Sequence, residues 1–251
     1  IHLNWPSSYY QSGWWAEPGT TKENETYNES VTTLKIFFKK ANSYAKSSSL
    51  MDLRMESMKG LFNGNKTLYI HANNAKDMLD AIDFSNNFEI PRTVIVGAED
   101  ALKIVNDLKE NNISLILNRV HRLPNKVDSP VDDPYTQAAK LQEAEILFCL
   151  SYTGDMEAMG ARNLPFSAGT AVAHGLDYEK AISSITLNAA KILGVDEYCG
   201  SIEKGKDATF FISSGDALDM RTNNVEKAYI QGISINLNNH QKELFNKYNN
   251  R

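Results

Sequence analysis

From Lys66 onward, four compact apolar runs, TLYIHA, TVIVGA, SLILNRV and ILFCLSY, alternate with the amphipathic stretches AKDMLDAIDFSNN, EDALKIVNDLKENN and TQAAKLQEAE. Each run is short enough for a strand buried on both faces, and each link is long enough for a crossover helix. The spacing therefore predicts parallel βαβ units, with strands near 67–71, 93–97, 114–118 and 146–151. Crossovers of one hand bring the carboxyl ends of such strands to a common side, which is where ligands bind in parallel α/β folds. His71 closes the first run. A histidine there is either a hydrogen-bonded strand-end residue or part of a site.

The flanks read differently. The opening IHLNWPSSYYQSGWWAEPGTTKENETYNES is rich in Trp, Tyr, Pro and Ser without periodicity and is expected to be a long ordered loop, its aromatics packed on the core or walling a pocket. VTTLKIFFKKANSYAKS places Val31, Leu34, Phe37, Phe38 and Ala41 on one face of an amphipathic helix. After a loop, TGDMEAMGARNLPF, come the helical stretches AGTAVAHGL and DYEKAISSITLNAAKILGV. Near Cys199 the pattern changes to period-two strands with Gly turns, GSIEKGKDATFFISS and VEKAYIQGISINL, then a polar helix, HQKELFNKYNN. This divides the chain into 1–198, a unit of parallel strands and helices preceded by the aromatic loop and helix, and 199–251, a small β appendage with a terminal helix.

A net charge of −5 leaves no basic footprint for nucleic acid, and no apolar run is long enough to span a bilayer. Two isolated cysteines, Cys149 and Cys199, do not make a disulfide framework. The chain opens without an initiator Met or the regions of a signal peptide, so a removed leader or a longer parent chain is expected, and no compartment can be read.

ITLNAAKILGV followed by GSIEKGKDATFFISS resembles the C-terminal end of the amidohydrolase superfamily, in particular its imidazolonepropionase-like branch. Thr186, Asn188, Ala190, Leu193 and Gly194 fit a T-x-N-x-A-x-x-L-G phrase, and Gly200, Ser201, Ile202, Gly205, Lys206, Asp207 and Ala208 fit a second, with Thr209 in place of the usual Asp. The phrases identify a fold and not a chemistry. The resemblance implies an α/β chain forming the second half of a (β/α)8 TIM barrel, strands five to eight, whose appendage is part of a composite β-sandwich. The first four strands and the family's H-x-H pair are missing from the sequence. An upstream segment, a second chain or another copy in a homo-oligomer would then complete the barrel.

The same resemblance implies a divalent metal, zinc the expected ion, that activates water and polarises a carbonyl while a carboxylate moves protons. His71 would be the fifth-strand ligand. Gly97 stands where the sixth-strand histidine belongs, which opens the alternative that the metal is absent. Asp155 would be the eighth-strand carboxylate, catalytic and metal-binding, although an Asp after Gly also makes a turn or cap. His121 could replace the missing ligand or be an exposed loop histidine, and Arg162 and Asn163 could hold a substrate carboxylate or anchor their loop. Glu99 and Asp100 suit a helix start, His174 suits packing, and His2 and His240 carry no signal. The functions implied are a metal-dependent hydrolase of C–N bonds in a small cyclic or linear amide, or a degenerate relative that binds a ligand or partner without hydrolysis.

Overall fold

A computed structural model of the chain describes residues 1–14, 17–47, 51–124, 129–153 and 157–249. In chain order it contains β1 (His2–Asn4), β2 (Tyr9–Trp14), β3 (Glu17–Glu23), α1 (Tyr27–Ala45), α2 (Leu53–Phe62), β4 (Leu68–Ala72), α3 (Ala75–Asn87), β5 (Thr93–Gly97), α4 (Val105–Glu110) and β6 (Ser114–Leu117). There follow α5 (Asp133–Glu143), β7 (Phe148–Leu150), α6 (Glu157–Gly160), α7 (Leu164–Ala173), α8 (Tyr178–Ser184), α9 (Leu187–Leu193), β8 (Phe210–Ser213), β9 (Val225–Ile230), β10 (Ile233–Ser234) and α10 (His240–Asn249).

The four expected strands are β4 to β7, all parallel, in a five-stranded sheet of order β1-β4-β5-β6-β7. The fifth member corrects the reading of the first thirty residues as a loop. HLN forms β1, parallel to β4 with Asn4 opposite His71, and β2 and β3 form an antiparallel hairpin. Three residues are too few to show a period, so the pairing partner decides the conformation there. Trp5 fixes the strand: its indole N–H donates to Tyr27 Oη (3.0 Å), its ring meets Phe84 edge-on at 5.2 Å, and Tyr27 donates to Asp80 (2.6 Å). The Ser8 N–H donates to the buried Asp77 carboxylate at 3.0 Å. Of the opening stretch's aromatics, Trp5 and Tyr27 therefore serve packing, whereas Tyr9 and Tyr10 are exposed.

The register gives the sheet two faces. Leu68, Ile70, Ile95, Leu115, Leu117, Phe148 and Leu150 are buried in the core, where Phe38, Met78 and Phe84 of α1 and α3 join them. Tyr69, His71, Val94, Val96, Ile116 and Cys149 lie on the other face, by their pairing Tyr69↔Val94, His71↔Val96, Val96↔Ile116 and Ile116↔Cys149. Helix α9 packs on this second face, with Ile192 and Ala189 against Val94 and Cys149. Tyr69 donates to the Ile192 carbonyl at 3.2 Å, and Asn188 Nδ2 donates to the Phe148 carbonyl at 3.1 Å. Burial pushes the Cys149 thiol up to about 12.

The second sheet, β10-β9-β8, is antiparallel. Three short strands bury little by themselves. Phe211, Ile212, Ile230 and Ile233 accordingly remain exposed, as do Phe245 and Tyr248 of α10.

Candidate functional site

The carboxyl ends of β4 to β7 converge on a polar network. Asn73 follows β4, Glu99 follows β5, Asn118 follows β6, and Ser151 and Thr153 follow β7. Asn118 joins them: its Nδ2 donates to Glu99 Oε1 (2.9 Å) and Asn73 Oδ1 (3.2 Å), and its Oδ1 accepts from the Thr153 hydroxyl (2.8 Å). Ser151 Oγ donates to the Leu117 carbonyl at 2.6 Å. Arg122 lies 3.8 Å from Glu99 Oε1, both side chains largely buried, and reaches Gln137 Oε1 at 3.4 Å. Gln137 in turn donates to the carbonyls of Ala98 (2.8 Å) and Glu99 (3.2 Å). Hydrogen-bond donors and acceptors from four strand ends are thus brought together where a ligand can meet them.

Gly97 explains the crowding beneath this network. Its φ of +102° is in the region L side chains avoid, and the next residue, Ala98, is also left-handed at φ +54°. A Cβ on Gly97 would fall 2.2 Å from Asn73 Oδ1. Where the resemblance calls for a histidine, the space is held by the Asn73 amide.

His71 lies on the sheet face opposite the main core, beside β1. Its Nε2 is 2.9 Å from His2 Nδ1, and the two rings are tilted with centroids 5.2 Å apart, while the His2 ring stacks on Tyr69 at 4.9 Å. In that contact one imidazole donates and the other accepts. Partial burial, and then repulsion from His2, hold the His71 pKa below its ordinary value. Both effects favour the neutral form of His71, and one of its ring nitrogens is engaged by His2.

Asp155 lies outside the described residues. His121 Nε2 is 2.7 Å from Thr170 Oγ1 on α7, and its ring meets Tyr135 at 6.5 Å, so its described contacts share no residue with those of His71. His174 belongs to the same group, with its ring 4.9 Å from Tyr135. Arg162 is exposed in a 3-10 turn, Ala161–Asn163, and Asn163 precedes α7 without capping it through its side chain.

The described residues do not by themselves fit a metal centre. Among them no group of three His, Cys, Asp or Glu side chains converges as a metal site would need. The amide of Asn73 fills the place a side chain at Gly97 would occupy. Sequence reasoning missed His2, Asn73, Asn118 and Thr153. The signal for the last three is a polar residue immediately after an apolar run, as in TLYIHAN, SLILN and ILFCLSYT. For His2 there was none, because it rests on an unforeseen strand.

A parallel sheet with a polar site at its carboxyl ends and a separate small antiparallel sheet defines an α/β protein of the kind built on barrel-type scaffolds. Residues 138–235 match the amidohydrolase family. The amidohydrolase tasK of Hapsidospora irregularis is 24% identical over 170 residues, 66% of this chain and 17% of that protein. The crystal structure of an amidohydrolase from Thermotoga maritima MSB8 superposes with a TM-score of 0.74 at 27% identity, covering 84% of this chain and 56% of that one. A Xaa-Pro dipeptidase with methionine bound in its active site is similar in fold, with a TM-score of 0.52 at 19% identity over 72% of this chain and 47% of its own. The chain thus spans about half of these solved relatives and a smaller part of the curated one. The matched segment contains both sequence phrases, and the structure gives them a physical basis. Asn188 ties α9 to β7, Gly194 ends α9 in the left-handed region at φ +72°, and a Cβ on Gly200 would lie 2.6 Å from that of Ala190.

Proposed function

We propose that this chain supplies part of the site of a hydrolase that cleaves a C–N bond in a small non-peptide amide, cyclic or linear. The observation that carries the reading is the position of His71, a neutral, half-buried imidazole ending a strand of a parallel sheet, beside a polar network drawn from the ends of the others. In this reading β1 and β4 to β7 correspond to consecutive strands of a (β/α)8 barrel. Their order in the sheet supports it, and β1 and β7 are edges that further strands, from an upstream segment or a second chain, would cover. The β8–β10 sheet, with its exposed isoleucines, would join strands from the same source.

Amidohydrolases are typically metal-dependent, and any metal centre here needs donors beyond the described residues. Asp155 is the first candidate in this chain, with His121 as a further donor. The chain's own described groups would bind and orient: Asn118 and Thr153 present amide and hydroxyl groups to a polar substrate, and the neutral His71 can accept a proton. Arg162 and Asn163 would hold a substrate carboxylate. The two C-terminal phrases are what support the imidazolonepropionase-like branch.

A second reading, ligand binding without hydrolysis, is favoured by Gly97, which has no side chain to offer and whose space is held by Asn73. Two measurements on the complete protein, with the strands that close the barrel, separate the readings. The hydrolase reading expects stoichiometric divalent metal by elemental analysis and amine release from a panel of small cyclic and linear amides. A metal-free protein that binds such amides but releases no amine establishes the second reading instead.

A further inference from the structure

At the amino end of the sheet, away from the His71 mouth, lies a cavity of about 250 Å³ at the meeting of the segments before β5 and β6 with the end of α9. Its walls include Arg92, Lys191, Asn86, Asn111, Thr93 and Ser114. Among the described residues no acidic side chain lines it, in a chain whose net charge is −5. Neither the Arg92 nor the Lys191 side chain has a hydrogen bond or ion pair among the described residues, and the nearest acidic influence on Lys191 is Glu203, whose carboxyl it helps to hold below the usual range from outside the cavity lining. The ordinary reason for cations here would be the carbonyl end of α9, since the Arg92 guanidinium approaches Gly194, the residue capping that helix. Three of the last four carbonyls of α9 are already taken, however: Lys191 O accepts from the Gly194 N–H (3.1 Å), Ala190 O from the Val195 N–H (2.9 Å) and Ile192 O from the Tyr69 hydroxyl (3.2 Å). Two like charges at a polar cavity with no carboxylate between them favour an anion.

We propose that this cavity binds a small dianionic oxyanion, a free phosphate or the phosphate of a monoester, through Arg92 and Lys191. A guanidinium offers paired N–H donors to two phosphate oxygens, and an ammonium adds a point charge. Asn86 Nδ2 is already given to Asn111 Oδ1 (2.7 Å) and Asn111 Nδ2 to the Asp107 carbonyl (2.8 Å), so the amides form a fixed rim and the two cations supply the binding. The site is separate from the carboxyl-end mouth and does not depend on the hydrolase reading.

The test is isothermal titration of the full chain with inorganic phosphate in chloride buffer at constant ionic strength. One-site saturable heat is expected, weakened at least tenfold in Lys191→Gln and abolished in Arg92→Gln/Lys191→Gln, with unfolding midpoints in the absence of phosphate unchanged. Repeating the titration with a simple alkyl phosphate separates the two sources: equal or tighter binding assigns a monoester, and weaker binding assigns free phosphate. Absence of saturable heat, an equal response to added chloride, or unchanged binding in the double variant would overturn the proposal. Should the double variant be less stable, the single Lys191→Gln titration decides by the same criterion.

Discussion

At the scale of single residues, His71 and Gly97 carry the argument. Because burial and His2 depress the His71 pKa, the unfolded chain takes up this proton first as pH falls. Its contribution to stability is complete above its ordinary value of about 6.5 and is lost as pH drops from there toward the folded value. Titration of the His71 ring by NMR should show a midpoint below that of an exposed histidine. His2→Ala should raise this midpoint without normalising it, since burial is the larger cause. An unchanged midpoint would remove His2 from the account. Gly97→Ala combines a left-handed backbone with a Cβ 2.2 Å from Asn73 Oδ1, so denaturant unfolding should show a loss of about 1–3 kcal/mol. A neutral substitution would mean that Asn73 is free to leave. Cys149, 5% exposed with its pKa raised to about 12, should resist a disulfide reagent at pH 8 until the protein is denatured, whereas the half-buried Cys199 should react in the native state.

At the scale of elements, the legible parts were those whose residues state their own conformation. Runs of Val, Ile and Leu separated by crossover lengths marked β4 to β7 to within about two residues, and the amphipathic faces marked α1, α3 and α5. The opening stretch was illegible because β1 owes its conformation to β4, and the anchors that hold it, Trp5 on Phe84 and Ser8 on Asp77, are sixty or more residues distant. The helix expected from Glu99 broke into a 3-10 turn and a short α4, with Ile104 between them outside helical geometry at φ −129° and ψ 30°. The place of His71 at a strand end was legible and its contact with His2 was not, since a two-residue contact across strands leaves no spacing to read. Element docking is testable at Asn188, whose side chain joins α9 to the Phe148 carbonyl. Asn188→Ala should cost about 1–3 kcal/mol and raise the reactivity of Cys149 beneath α9. Lost stability with Cys149 still protected would place the role of Asn188 elsewhere.

At the scale of the whole molecule, two open edges of a parallel sheet, a mouth with one strand-end histidine, and a small sheet with exposed isoleucines all call for further structure around this one. The resemblance to amidohydrolases covers only part of their length, and the proposed hydrolase reading has the site shared between this chain and further strands. The claim rests most directly on His71. Amine release from a small non-peptide amide, compared between the full protein and its His71→Ala variant at matched folded concentration, should fall at least about a hundredfold, while the unfolding midpoint stays close to that of the parent. A variant that releases amine at the parent rate would contradict the assignment of His71 to the site.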